Sequence, residues 1–313
     1  MKNLKKIKGD ASFRKFYRKK RKNTNSIIVL AKKEKIKNLI IYEAINRILN
    51  KNKILAPKLI KENYKKNYIE IQDFGDHTIF KILKRKKVNK FLYFKKIIDL
   101  LIRIQLIKNR SIKNFKNKIY HIPKYNEKIL INEANLFSKW YAEENLKNSK
   151  KKTFSKKFNK VIKELISKLS LKNNVFVHRD FHVSNLMLVR NEIGVIDSQD
   201  ALIGNRAYDL ASLIDDVRFK TSKSFKKKVY DHYLKKQKNL IKNKFKNDFE
   251  ILSVLRNLKI IGIFTRLSLR DGKKKYIKLI PYTWELINMR IKENEVFFDL
   301  KSLLSQNFEK KIK

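Results

Sequence analysis

The sequence predicts an α+β fold of two lobes, a small β-rich one over residues 1–75 and a larger, mostly helical one over residues 77–313. Three observations carry that reading. Short β-like runs with one helical stretch among them fill the first 75 residues, apolar residues then recur at spacings of three and four, and a single β interruption over 174–196 breaks the helical region. A chain of 313 residues is long enough for two compact lobes. Its 42% apolar and 11% aromatic content can build a core, which a disordered polycation cannot.

Taken in order, residues 13–18 and 26–31 each read as a strand, because β-branched and aromatic side chains sit between polar breaks. Residues 39–49 show helical spacing through Ile41, Ala44, Ile45 and Ile48. Leu55-Ala56-Pro57 closes that helix, since the residue before a proline is pushed out of the α region. Residues 67–72 form a further strand, and the small lobe is expected to end with it, at a hinge over 72–76. Beyond His77, helical periodicity runs through 97–107, 129–141, 158–169 and 251–269. Within that region 174–177 reads as a strand before a polar loop, and 186–189 and 193–196 flank Arg190-Asn191-Glu192 as a hairpin.

The 78 Lys and Arg against 29 Asp and Glu leave a formal charge of +49, which excludes an acidic buffer or tail. Such a charge invites a nucleic-acid reading, because basic side chains gain affinity by displacing counterions from phosphates. The distribution argues against a dedicated patch, since basic clusters recur over 14–22, 84–87, 150–157, 226–228, 235–246 and 273–275. Lys, Asn, Ile, Phe and Tyr can all be encoded with A and T alone, and Gly and Pro number only 6 and 3. Genome base composition is therefore a sufficient source of the charge, and no specific nucleic-acid partner is expected. The field still favours anionic small molecules, nucleotides included. With no cysteine, disulfides, zinc–thiolate sites and Cys nucleophiles are excluded, and a cytoplasmic setting suits the chain. No apolar run of signal-peptide length follows the basic first residues, and nowhere do about 18 apolar residues follow one another. Neither export nor a membrane partner is expected.

The chemistry concentrates in VFVHRDFHVSNLMLVRNEIGVIDSQDA. His178-Arg179-Asp180, four residues and then Asn185 is the spacing of a kinase catalytic loop, and a hairpin leads on to Asp197. Phosphoryl transfer explains these residue types: a carboxylate must accept the proton of the attacking hydroxyl, while an amide oxygen and a second carboxylate hold Mg²⁺ against ATP phosphates. Magnesium keeps several waters, so Asn185 and Asp197 are a sufficient protein complement. Taken singly, His178 reads as a buried, hydrogen-bonded histidine and Asp180 and Asn185 as braces of a turn. Two of the five histidines, an Asp, an Asn at the right offset, a hairpin and a terminal Asp in one segment reverse that reading.

The run HRDFHVSNLM, with the later IDSQDALIGNRAYDLASL, resembles the aminoglycoside-phosphotransferase-like kinases, small-molecule relatives of protein kinases. More narrowly, GDASFRKFYR, QDFGD and RNLKIIGIFTRLSLRDGKKKY are similar to the bacterial anomeric kinases of N-acetylmuramate and N-acetylglucosamine, in the expected order over nearly the whole chain. The resemblance implies a protein-kinase-like bilobal fold, ATP and Mg²⁺ as cofactors, and an amino sugar as the small-molecule substrate. It implies that Asp180 is the base, that Asn185 and Asp197 are the Mg²⁺ ligands, and that His178, Arg179 and Asp209 support the catalytic loop. Read from the residues alone, Asp209 is an acidic charge at the start of a helix beginning near Tyr208, favourable for its dipole.

On the ATP side, Gly9 and Ser12 lie between two expected strands, in a loop that either folds over phosphates or is an ordinary hairpin turn. Gln72, Asp73 and Phe74 resemble the hinge whose backbone meets adenine, and read equally as a strand-ending turn with Gly75 left-handed. Lys32 and Glu43 match the strand-lysine and helix-glutamate pair of protein kinases, although one lysine near any site is unsurprising in this chain. Ser198 stands where an aromatic commonly follows the metal-binding Asp. For the acceptor, Arg256, Arg266 and Arg270 border the late helical tract and suit a carboxylated sugar; the same residues also fit a solvated helix ending at Asp271-Gly272. Glu133, Phe137 and Trp140 share one helix face, as core first and substrate wall second.

The expected activity is ATP-dependent phosphorylation of a sugar hydroxyl, the anomeric one of N-acetylmuramate or N-acetylglucosamine, in cell-wall sugar recycling. Choline, another sugar, an amino acid or an aminoglycoside are alternative acceptors, since fold-level likeness does not fix the substrate. The alternative from another class is a basic nucleic-acid-binding protein on a kinase scaffold.

Overall fold

The alternation of apolar and polar residues near the N-terminus builds one antiparallel sheet. The computed structural model describes residues 4–7, 14–20, 24–292 and 294–312. Strands β1 (Leu4–Ile7), β2 (Lys15–Lys19), β3 (Ser26–Leu30), β4 (Leu59–Asn63) and β5 (Tyr68–Gln72) lie in the order β1-β2-β3-β5-β4. Helix α1 (Lys37–Lys51) sits between β3 and β4 in the chain. Ile27 pairs with Ile71 and Val29 with Ile69, so one face of the two central strands is apolar and packs with Leu39 and Tyr42 of α1. The outer strands β1 and β4 bury little, and their polar sequences LKKI and LIKEN hid them from the sequence reading.

The chain continues through α2 (Ile79–Leu83), α3 (Lys90–Gln105), the short pair β6 (Ser111–Lys113) and β7 (Ile119–His121), α4 (Glu127–Ala134), a π-helical turn Phe137–Ala142, α5 (Glu143–Asn145) and α6 (Asn148–Ser167). Next come β8 (Asn173–Val177), β9 (Leu186–Val189), β10 (Glu192–Val195) and β11 (Leu202–Asn205), then α7 (Ala207–Ile214), α8 (Lys223–Lys235), α9 (Lys242–Leu269), α10 (Ile280–Ile291) and α11 (Phe298–Asn307). Asn89, Asn126 and Ser222 cap α3, α4 and α8 by accepting from the backbone N–H three residues on. No helix among the described residues is long and apolar enough to cross a membrane. The helix expected over 129–141 ends at Ala134 and gives way to the π-helical turn.

Two compact units result, and neither is contiguous in sequence. One comprises Met1–Pro123 and Val175–Ile203, the other Lys124–Asn174 and Gly204–Lys313. This partition differs from a boundary at 72–76. The β9–β10 hairpin groups with the N-terminal sheet because the backbone ties it there: Leu188 N–H donates to the His77 carbonyl and Val195 N–H to that of Leu55, both at 2.8 Å. Gly194 completes the junction, for a Cβ there would come within 2.8 Å of the Phe74 ring.

In the second unit the π-helical turn lies against α9 at Gly262, where any Cβ would collide with the Leu136 carbonyl. Phe137 is fully buried among Tyr141, Phe154, Phe158, Trp284 and Phe308. Buried carboxylates close the polar gaps between helices. Asp248 accepts from the backbone N–H groups of Ser170 and Leu171 at 2.8 Å and from Asn205 at 2.6 Å. Asp215 accepts from Ser253 at 2.6 Å and from Arg290 at 3.0 and 3.2 Å, with the Lys226 ammonium at 3.3 Å. Burial alone would raise the Asp215 pKa; Arg290 and Lys226 outweigh it and hold the carboxyl below its ordinary value.

Asp215→Asn therefore strands two buried cations and should cost about 3–5 kcal/mol at neutral pH. Because the folded pKa is depressed, the gap to wild type should be full above the unfolded value near 3.9 and should narrow as pH falls through the lower folded value. Denaturant unfolding of both proteins at a series of pH values reads it, and a gap that widens on acidification refutes the account.

Candidate active site

β8 buries Val175, Phe176 and Val177 and delivers the chain to His178, whose side chain is fully buried. Its Nε2–H donates to the Ile196 carbonyl at 3.1 Å; a carbonyl only accepts, so Nε2 carries the proton. Burial pushes the His178 pKa down, against the fields of Asp180 and Asp197, and the ring is a neutral strut. Arg179 adopts a left-handed φ of 73° and donates through Nη1 to the Asp200 carbonyl at 3.2 Å. The loop then closes on the main chain of Asp180, whose carbonyl accepts from His182 N–H at 3.1 Å and from the Asn185 side-chain amide at 3.0 Å. With its nitrogen so engaged, Asn185 has its side-chain oxygen left as an acceptor.

The hairpin returns the chain to this loop. β9 pairs with β10 from Leu186↔Val195 to Val189↔Glu192. Arg190 and Asn191 form the two-residue turn, both at positive φ, 46° and 68°, as a type I′ turn requires. The expected loop was thus one residue too long. Ile196 N–H donates to the Asn185 carbonyl at 3.0 Å and extends the pairing one step, which sets Asp197 beside the loop end. Asp197 itself is left-handed, at φ 64°, a region Asp tolerates better than most residues.

Arg14, the residue just before β2, is not among the site residues the sequence suggests. It is buried, its Nη2 meets Asp197 Oδ1 at 2.5 Å, and its Nη1 donates to Gln199 Oε1 at 2.8 Å. Its guanidinium lies over the rings of Tyr42 at 5.2 Å and Phe16 at 5.6 Å. Burial raises the pKa of the Asp197 carboxyl, Arg14 opposes the rise, and Asp180 and Asp200 add to it. The next residue, Ser198, is fully buried and donates to Asn46 Oδ1 at 2.6 Å, so a hydrogen bond to α1 stands where an aromatic was expected.

The expected Lys32–Glu43 pair does not form. Lys32 is exposed, while Glu43 is buried on α1, where it pairs with Arg47 one turn on and accepts from Phe115 N–H at 3.3 Å. Gly9 and Ser12 lie outside the described residues. At the expected hinge, Gln72 N–H bonds to the Lys58 carbonyl at 2.9 Å. Arg18 grips Asp73 with Nε at 2.5 Å and Nη2 at 3.1 Å, and holds Asp76 at 2.7 Å. Hydrogen bonding from Arg18 lowers the Asp76 pKa. Phe74 is buried against Gly194, and Gly75 is left-handed at φ 77° as expected. The side chains of Asp73 and Phe74 are thus committed to packing and ion pairs.

Asp209 is buried in the first turn of α7. Of the acceptor candidates, Glu133 is held by Lys259 at 2.8 Å and by the Tyr125 hydroxyl, and Trp140 is half-buried on the π-helical turn. Arg270 is exposed and bound to Asp271 at 2.7 and 3.1 Å. Arg256 is buried with Nη1 lacking a partner among the described residues, and Nε of Arg266 likewise lacks one. Burial lowers the Arg266 pKa, helped by Arg270.

A protein-family comparison matches residues 3–239 to the phosphotransferase enzyme family. The chain belongs to that family. Members are similar to it along most of its length. An N-acetylmuramate/N-acetylglucosamine kinase of Neisseria meningitidis serogroup B is 27% identical over 87% of this chain and 80% of its own. An enzyme of the same name from Pseudomonas aeruginosa is 25% identical over 95% of this chain and 86% of its own. The ADP-bound aminoglycoside phosphotransferase APH(2'')-Ib superposes with a TM-score of 0.60 at 15% identity, covering 91% of each chain, which shows the shared protein-kinase-like fold. As a phosphotransferase of this family, the chain is an enzyme that transfers phosphate to a hydroxyl acceptor.

The neutral His178 strut has a pH signature. The unfolded histidine takes up its proton near pH 6.5 and the buried one only at lower pH, so wild-type stability should fall as pH drops below about 6.5. His178→Gln keeps a donor for the Ile196 carbonyl but no titrating group, and should lack that component between pH 7 and 5. Equal slopes in denaturant unfolding of the two proteins would show that His178 does not titrate as described.

Proposed function

We propose that the enzyme phosphorylates the anomeric hydroxyl of N-acetylmuramate or N-acetylglucosamine, with Asp180 as the base and with Asn185 and Asp197 as the residues that hold Mg²⁺. The Ile196 N–H to Asn185 carbonyl bond carries this reading, because it sets two oxygen-bearing side chains at one end of a hairpin whose other end is fixed by a tight turn. The side-chain oxygen of Asn185 and the Asp197 oxygen that Arg14 does not hold form a hard, two-oxygen donor set suited to magnesium. No group of three or more His, Asp or Glu suited to a metal exists among the described residues, and an ion that keeps its waters and phosphate ligands needs none. When bound, Mg²⁺ neutralises charge on the transferring phosphoryl group.

Asp180 takes the proton of the sugar C1 hydroxyl as that oxygen bonds to the γ-phosphorus; the bond from the γ-phosphorus to its bridging oxygen breaks, and ADP leaves with that oxygen. The product is a sugar 1-phosphate. Main-chain atoms around Gln72 to Gly75 would meet adenine, since the Asp73 and Phe74 side chains are occupied. Arg256 and Arg266, which keep guanidinium N–H groups unpaired among the described residues, are the candidates for an acceptor carboxylate. The names of the relatives support the amino-sugar choice; cytoplasmic recycling of cell-wall sugars is the role we propose for it.

Phosphate transfer from labelled ATP to a panel of amino sugars, amino alcohols and aminoglycosides, with the product position read by NMR, tests the substrate. A 1-phosphate of an N-acetylated sugar is expected. A product phosphorylated elsewhere replaces the acceptor, and a steeply salt-dependent RNA affinity with no turnover replaces the function. Asp180→Asn should lower kcat by on the order of 10²-fold or more while leaving ATP affinity within a few-fold. Near-normal turnover removes Asp180 from the chemistry.

A further inference from the structure

Arg14 occupies the carboxylate that the proposed function gives to a metal ion. It does so from a buried position with aromatic rings on two sides and a second hydrogen bond to Gln199. Lys32, the residue whose position in the sequence suggested a phosphate contact, points to solvent. We propose that Arg14 is the cation of the nucleotide site, holding Asp197 while the site is empty of nucleotide and passing to the nucleotide phosphates when they arrive. This deepens the reading of Asp197 as a metal ligand and rests on it.

Two cations at one carboxylate oppose each other. A divalent ion approaching Asp197 without nucleotide meets the Arg14 guanidinium at 2.5 Å from the same carboxylate and binds weakly. Phosphates offer the guanidinium new oxygens in the bidentate pattern it favours, and its departure frees the carboxylate. Metal and nucleotide then bind with positive coupling, and a metal ion without nucleotide is discriminated against. Tyr42 and Phe16 supply faces along which the planar group can shift without losing contact.

Opposite signs distinguish this role from a structural one. Mn²⁺ binding to the nucleotide-free protein is measured by electron paramagnetic resonance, and ATP binding in EDTA by equilibrium dialysis. Arg14→Met should tighten Mn²⁺ and weaken metal-free ATP, each by about tenfold, the size expected for one charge-assisted contact. Lys15→Met, which removes the same charge from the exposed neighbouring position, should leave both within twofold. Both affinities falling together, or either remaining unchanged in Arg14→Met, overturns the proposal. If Arg14→Met does not fold, Arg14→Lys decides. It keeps the charge but not the two-pronged reach, so ATP should weaken while Mn²⁺ stays weak, and unaltered ATP binding overturns the proposal. Asp197→Ala separates the two readings: unchanged Mn²⁺ binding there removes the metal ligand and the proposed function's site, whatever Arg14 does.

Discussion

The hydrogen bond from Ile196 N–H to the Asn185 carbonyl is the constraint on which the placing of Asp197 beside Asn185 depends. The hairpin register behind it is set at the far end, where Arg190 and Asn191 take the two left-handed conformations of a type I′ turn. A slip of one residue would turn every side chain of β10 to the opposite face and carry Asp197 away from Asn185. The same strand pair is anchored laterally, through Val195 to Leu55 and Leu188 to His77, so the register is over-determined by contacts with the earlier part of the same unit. Gly194 belongs to the same logic, because only a residue without a Cβ lets the Phe74 ring lie on the hairpin at that point.

Acidic side chains are scarce in this chain, and the structure commits many of them. Asp73 and Asp76 share Arg18, Glu43 takes Arg47, Glu133 takes Lys259, and Asp215 takes Arg290 and Lys226. The cationic excess is left to solvated positions, where mutual repulsion is screened by salt. Asp197 is held likewise, by Arg14 at the end of the hairpin, and Asp180 lies on the loop between β8 and β9. The +49 charge accordingly describes the surface and its attraction for anions, and adds nothing to the choice of substrate.

How much of this was legible depends on the range of each interaction. The segment 174–197 was readable because its parts are local: strand, polar loop and hairpin all fall within it, and the apolar pattern and turn residues mark each piece. The helices were readable by period, though 129–141 hid a π-helical turn that exists because α9 approaches through Gly262, a partner more than a hundred residues away. β1 and β4 were missed because edge strands need no alternating apolar face. Arg14 was missed for the same reason that Lys32 was suspected: with 78 basic residues, spacing cannot say which one meets a given carboxylate, and only the pairing of β2 with β3 decides it.

That decision also changes how α1 is coupled to the Asp197 end of the hairpin. In the protein-kinase pattern the helix communicates through a glutamate paired to a strand lysine; here Glu43 faces Arg47 and Phe115 instead. The connection runs through its neighbours on the helix. Tyr42 lies against the guanidinium that holds Asp197, and Asn46, one turn on, accepts from Ser198, the residue next to Asp197, while its amide donates to the Pro57 carbonyl. Both sides of Asp197 are therefore fastened to one helix face by a cation–π contact and a buried hydrogen bond. A serine suits the position after Asp197 because Asn46 presents an oxygen there, which an aromatic ring would leave buried and unsatisfied at a cost of about 1–3 kcal/mol.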